Sequence, residues 1–271
     1  MENPPASAVT SWYEERYREE DRLSRHHLEF VRVQQIISRY LRADPMVIAD
    51  IGGAGGTYSF WLAEMGHDVR LVDFTPRHLR LAEDRARSTG VHLGGYHCAD
   101  ARAVPLADQE CDLVLEMGPL YHLQQTTDRL DALREARRLL RPGGTIICQV
   151  ITRWASVLDG FVYGHVRDDY FWENTNRVVA TGCYENPENR SQFFTSAYFH
   201  RPNEIRQELE EAGFLDIHLV GVEGFSSALP TGDYLADPIA GPRLLECLAA
   251  TESIPELLGV SCHIAAIATK P

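Results

Sequence analysis

The chain has 271 residues, 44% of them hydrophobic, and a formal net charge of −13. That length can bury one large core with at most a small appended lobe. The acidic balance repels phosphate backbones and argues against nucleic acid as a partner. No apolar run approaches the ~20 residues needed to span a bilayer, and no basic start precedes an apolar core, so a cytoplasmic protein without a membrane partner is expected. Six cysteines (Cys98, Cys111, Cys148, Cys183, Cys247, Cys262) stand far apart without a C-x-x-C pair. Most lie in apolar strand-like runs, where small buried thiols are ordinary, and neither a metal site nor a disulfide framework is expected.

From Ser11 to about Leu41 the pattern is helical and strongly charged, with an apolar face in its second half. This segment, residues 1–45, reads as a helical cover over the mouth of a binding site. Tyr13 and Tyr17 would then face a substrate and Arg22 a cofactor. Next comes the apolar run from Val47 to Ile51, interrupted by Asp50, then Gly52-Gly53-Ala54-Gly55-Gly56, then a helical pattern of Tyr58, Trp61, Leu62 and Met65 stopped by Gly66. The order is a buried strand, a tight turn and a helix whose N-terminal N–H groups point across the turn. Such a helix start attracts an anionic group.

A dinucleotide fingerprint would need G-x-G-x-x-G. Counted from Gly53 the third glycine is Tyr58, and counted from Gly52 the positions hold Ala54 and Thr57. A strand from His67 to Asp73 follows, and Asp73 lies about twenty residues past the turn, where an acid reaches ribose hydroxyls. Its alternative role is as a helix cap, although Thr75-Pro76 already makes a good first turn. Helix Pro76–Ser88 ends near Gly90, and a third strand leads through Tyr96-His97-Cys98 to Asp100 and Ala101. The fourth strand, Cys111 to Glu116, opens into Met117-Gly118-Pro119-Leu120-Tyr121-His122-Leu123. Ligands bind at the carboxyl ends of such strands, so Glu116 to His122 should line the reaction pocket.

Helix Asp128–Leu140 stops at Arg141-Pro142-Gly143-Gly144 and strand five runs from Thr145 to Ile151. Between Arg153 and His200 the periodicity breaks down and eleven aromatic residues gather, which fits an inserted substrate lid over residues 153–200. Most of these rings would build the insert's own core. Tyr198, Phe199 and His200, with Tyr121, would wall the substrate. A helix from Pro202, a strand Leu215–Val222, a helix near Gly241–Ala250 and a last strand from His263 to Ala268 complete the chain. The fold expected is α/β, a Rossmann-like doubly wound sheet of about seven strands with an antiparallel last strand. Its core occupies 46–152 and 201–271, with the N-terminal cover and the aromatic-rich insert after strand five.

The Asp50-x-Gly52-x-Ala54-x-Gly56 turn resembles the D/E-x-G-x-G-x-G loop of class I S-adenosylmethionine-dependent methyltransferases. Gly118-Pro119-Leu120-Tyr121-His122-Leu123 and Leu140-Arg141-Pro142-Gly143-Gly144 are similar to marks of a bacterial small-molecule subgroup. The resemblance implies methyl transfer from S-adenosyl-L-methionine to a small-molecule acceptor. It implies cofactor contacts from Asp50, Gly52, Gly53, Ala54, Gly55, Asp73 (ribose), Phe74, Asp100 with Ala101 (adenine) and Met117. His122 is the first candidate for a general base, because an imidazole titrates near neutral pH, with a hydrogen-bonding or packing role as its alternative; Glu116 and His200 are lesser candidates. Two alternatives stay open: a nicotinamide-dependent oxidoreductase on the same sheet, and a non-catalytic S-adenosylmethionine-binding regulator. The sequence leaves monomer and homo-oligomer equally open.

Overall fold

The computed structural model describes residues 26–186, 190, 193–229 and 231–271. Tyr13, Tyr17 and Arg22 lie outside the described residues. Helix α1 (His27–Ser38) buries Val33, Ile36 and Ile37, with Ile36 and Ile37 three and four residues past Val33 on one face, against the sheet, and it stops at Ser38 rather than near Leu41.

The strands are β1 (Val47–Ile51), β2 (Asp68–Asp73), β3 (Gly95–Cys98), β4 (Cys111–Glu116), β5 (Leu140–Ile151), a separate pair β6 (Cys183–Tyr184) and β7 (Ala197–Tyr198), then β8 (Leu215–Gly221) and β9 (His263–Thr269). Seven of them form one sheet in the order β3-β2-β1-β4-β5-β9-β8. The first five pair parallel, and β9 runs antiparallel to both of its neighbours. The central strands β1 and β4 are nearly continuous apolar runs, as a parallel sheet covered on both faces demands. Helices α2 (Thr57–Glu64), α3 (Pro76–Thr89), α4 (Pro119–His122) and α5 (Thr126–Leu139) connect the parallel strands.

Two cores result, one on each face. Ile48, Phe60, Leu62, Val69, Leu71, Leu113 and Leu115 sit with α1. Ala49, Ile51, Val114, Leu133, Cys148, Val150 and Leu209 sit on the other face. The chain leaves β1 for β2 on one side and reaches β4 on the other, so the sheet has its switch point at the carboxyl end of β1, where a crevice opens.

Several sequence expectations need correction. Met65 does not join the buried face of α2 but is half exposed. Strand β5 begins at Leu140, so Arg141-Pro142-Gly143-Gly144 lies in its bulged first turn rather than before it. Of the six cysteines only Cys111 and Cys148 are buried, Cys98 and Cys247 are exposed, and all six are free thiols.

After β5 come α6 (Ala155–Val162), a 3-10 turn at His165–Arg167, α7 (Asp169–Thr181) and the β6–β7 pair. Phe171, Val178, Tyr184, Phe193, Ala197 and Phe199 form a third core there. Trp154, Phe161, Tyr163 and Trp172 do not join it, and Phe161 is 67% exposed. Helices α8 (Pro202–Glu211), α9 (Thr231–Ala236), α10 (Ala240–Thr251) and α11 (Pro255–Leu258) complete the last third.

Candidate active site

The turn after β1 alternates left-handed residues: Gly52 at φ +73°, Ala54 at +49° and Gly56 at +78°. Glycine takes this region freely, but alanine is strained there by on the order of 1 kcal/mol, so Ala54 is a costlier replacement for glycine than its single methyl suggests. A residue held in that region marks a turn whose shape is fixed from outside. The fixing groups are present. A Cβ on Gly52 would lie 2.6 Å from the Pro119 ring, and one on Gly53 would lie 2.6 Å from the Asp50 carboxylate and from Leu71. The Ala54 N–H donates to Asp73 Oδ2 at 2.9 Å. Gly55 differs, since a Cβ there meets nothing within 4 Å, and so the turn is packed from below and open at Gly55. That is the shape of a cradle.

Asp50 is fully buried and accepts from Ser59 Oγ at 2.6 Å through Oδ2, while Oδ1 has no partner. Burial, only partly offset by Ser59, lifts its carboxyl to about 6. Asp73 ends β2 and is also buried. Besides Ala54 it holds the Thr75 N–H at 2.8 Å and faces His78 Nδ1 at 3.0 Å, both through Oδ1. Asp73, not Thr75, therefore anchors the start of α3, since Thr75 makes no side-chain cap bond. The structure thus shows the anchoring role, and a carboxylate's roughly four lone-pair sites leave acceptor capacity beyond these contacts.

Phe74 beside it is 43% exposed, which leaves a ring flanking the crevice. Asp100 receives a fork from Arg102, Nε to Oδ1 at 2.9 Å and Nη2 to Oδ2 at 2.6 Å, and the guanidinium holds its carboxyl below the usual range. Arg102 also bonds Asp128 at 2.7 Å, which ties the β3 loop to α5. The sequence reading missed Arg102. Ala101 and Met117 are buried at the same edge.

The loop after β4 does not all face outward. Glu116 is 0% exposed, neither carboxylate oxygen has a partner, and burial pushes its carboxyl up to about 8. It points into the core beside Ile51 and Cys148, its register partners, so it lies beneath the pocket floor rather than lining it. Leu120 is likewise inside the core. Tyr121 and His122 are only partly buried, with ring centroids 4.7 Å apart. Phe194 stands 5.7 Å from the imidazole. Burial drives His122 down to about 4 against the weaker pull of the Ser196 backbone and the Asp73 carboxylate. The imidazole is therefore neutral at pH 7, not titrating near it as expected, and a proton placed on it is weakly held.

Three expected substrate contacts sit elsewhere. His200 is 0% exposed and bonds Glu208 at 3.1 Å. Glu208 in turn takes a fork from the buried Arg129, and the Arg129 guanidinium lies 3.8 Å over the Tyr198 ring. The Tyr198 hydroxyl reaches Glu204 at 3.2 Å. Phe199 stacks on Tyr184 at 5.5 Å inside the third core. Together they fasten residues 197–200 to α5 and α8. Position after an aromatic run suggested a wall, and tertiary pairing made a brace.

Comparisons with known proteins agree with this geometry. Residues 49–148, from β1 to the middle of β5, match the family described as a methyltransferase domain. This stretch is thus similar to a methyltransferase domain. The matched stretch holds the glycine turn, Asp73, Asp100, Glu116 and His122. A ubiquinone/menaquinone biosynthesis C-methyltransferase of Acidiphilium cryptum is 37% identical over 111 residues, which is 39% of this chain and 42% of that protein. A ubiquinone biosynthesis O-methyltransferase of Cereibacter sphaeroides is 32% identical over 117 residues, 43% of this chain and 46% of that one. The chain thus spans less than half the length of these curated relatives. A Thermotoga maritima structure described as a methyltransferase, possible histamine N-methyltransferase, superposes with a TM-score of 0.60 at 17% identity over 98% of this chain and 99% of that one. At that identity the likeness concerns the fold. No described helix is long and apolar enough to cross a membrane.

Proposed function

We propose that the whole protein transfers a methyl group from S-adenosyl-L-methionine to a small-molecule acceptor. The observation that carries this reading is the cradle at Gly55, closed beneath by Asp50, Leu71 and Pro119 and faced by Asp73. The turn at Ala54 and Gly55 would hold the amino-acid end, Asp73 the ribose hydroxyls, and Asp100 with Ala101 the adenine edge, flanked by Phe74 and Met117. The bound cofactor supplies a methyl on a sulfonium, already a good electrophile. The protein's part is then positioning and exclusion of water.

His122, neutral and next to Tyr121 and Phe194, orients the acceptor by hydrogen bonding. With so low a proton affinity it serves an acceptor that needs little help in losing a proton. Residues 153–200 act as the substrate lid in this reading, supported by the contact of their aromatic core with Tyr121. A small molecule rather than nucleic acid fits the net charge of −13, and a cytoplasmic location fits six free thiols.

Calorimetry tests the reading directly. S-adenosylmethionine binds the purified protein, and Asp73→Ala weakens it by at least ~1 kcal/mol, since ribose hydroxyls are left unpaired. Unchanged affinity in that variant removes the ribose assignment, and no binding at all removes the function. His122→Ala lowers turnover more than cofactor affinity; equal turnover in single-turnover assays makes His122 a packing residue.

A further inference from the structure

Where the chain leaves β3 it makes a tight turn, closed by the Ala103 N–H donating to the Asp100 carbonyl at 3.0 Å. The turn starts beside Asp73, which is the register partner of Cys98 and whose carbonyl takes the Ala99 N–H at 3.2 Å. Inside the turn Arg102 holds the carboxylate of Asp100 with three bonds. Its backbone N–H and its Nε each reach Oδ1 at 2.9 Å, and its Nη2 reaches Oδ2 at 2.6 Å. Among the described residues no other group donates to this carboxylate. A carboxylate has about four acceptor sites, so one is left, on Oδ2.

Arg102 is itself fixed from outside the turn. Its Nη1 donates to Asp128 at 2.7 Å, in the first turn of α5. Further along α5, Glu135 accepts the Val104 N–H at 2.7 Å and Arg138 donates to the Val104 carbonyl at 3.0 Å. Asp128, Glu135 and Arg138 are spaced to share one face of the helix, so a single side of α5 grips the turn along its length.

The pair of Arg102 and Asp100 does little for stability where it stands. Their side chains are 33% and 29% exposed, and water screens such pairs. Its effect is on direction. A guanidinium is a planar fork that matches both carboxylate oxygens, so the carboxylate cannot turn without breaking that match. The same fork is the main reason the Asp100 carboxyl lies below its usual range, and an ionised carboxylate only accepts.

We infer that Arg102 is a positioning residue that gives the cofactor site its choice of base: by clamping Asp100 it leaves one acceptor direction, which takes the exocyclic amine of adenine and refuses a base with an oxo group in that place. The inference rests on Asp100 as the adenine contact, proposed above. An oxo group sets two acceptors against each other. The ring N–H beside it in such a base is reached only by a carboxylate free to turn, and Arg102 prevents the turn.

The test uses the full chain, titrated in a calorimeter with S-adenosylhomocysteine and with S-inosylhomocysteine, which carries the oxo group in place of the amine. The unaltered protein binds the adenosyl ligand at least about thirtyfold tighter, because the acceptor in the site loses its donor in the other. Arg102→Ala and Arg102→Lys each narrow that ratio at least about fivefold, since neither lysine nor alanine offers the fork. Arg102→Lys keeps a cation between Asp100 and Asp128 and carries the test if Arg102→Ala does not fold. A merely structural role weakens both ligands by one factor, and an unchanged ratio overturns the inference. On an Asp100→Ala background Arg102→Lys leaves the ratio where it is; a further change means that Arg102 acts on the base itself, which also overturns it. Equal binding of both ligands by the unaltered protein removes Arg102 and the adenine assignment of Asp100 together and spares the methyltransferase reading. A chain that binds neither ligand overturns all three.

Discussion

The two ends of the crevice are built on different length scales. Around β1 and β2 the contacts join near neighbours: Asp73 reaches Ala54, Thr75 and His78, at sequence separations of 19, 2 and 5. Around β5 and β9 they join distant ones, Arg129 with Glu208 across 79 positions and Gln149 with Glu29 across 120. The first end is a motif, fixed by the turn that carries it. The second is an assembly, whose members share no pattern along the chain and meet only when the sheet closes.

The comparison can be broken most decisively at the brace. Arg129→Leu leaves Glu208 buried without its guanidinium, and the loss is of order 3–5 kcal/mol in urea unfolding, with residues 197–200 released first in hydrogen exchange. A loss below ~1 kcal/mol means that the distant contacts do not hold this end together.

The motif end is tested by two neighbouring glycines. Gly53→Ala drives a methyl into Asp50 and Leu71 and costs about 1–3 kcal/mol, whereas Gly55→Ala meets no atom and stays within ~0.5 kcal/mol of wild type in thermal melts. Gly55→Ala nevertheless weakens S-adenosylmethionine binding if the cofactor lies over it. Equal melting shifts for the two variants contradict a turn packed on one side and open on the other.

A last test, read as a slope against pH, separates floor from wall. Folded Glu116 keeps its proton up to about pH 8, and the unfolded chain releases it near 4.5. The native state binds the extra proton across that window, so this group makes stability fall as pH rises through it, by at most ~1.4 kcal/mol per pH unit. His122 acts in the opposite sense. Its folded value of about 4 lies below the ordinary 6.5, so its contribution is present above 6.5 and is lost as pH falls toward 4. Glu116→Gln removes the alkaline decline and leaves the acid one. An unaltered alkaline slope puts Glu116 in contact with solvent.

How much of this was legible depends on the same difference in scale. Asp50, Gly52, Gly53, Gly55 and Asp73 could be read because turn chemistry and strand ends announce themselves within a few residues. The strain at Ala54 was not legible, since its left-handed backbone is invisible in sequence. Tyr198, Phe199 and His200 were misplaced because an aromatic run does not say which partners it will meet, and here Arg129 and Glu208 reached them first. Arg102 and Asp128 left no signal, being single residues in unrelated stretches.

By itself the sequence determined the sheet, its seven strands and the glycine turn, because alternating apolar runs and glycines act locally and impose their geometry wherever they occur. Only the tertiary structure decided which carboxylates are buried and which are paired. Those outcomes follow from desolvation and from distances between elements, and neither exists until the chain has closed on itself.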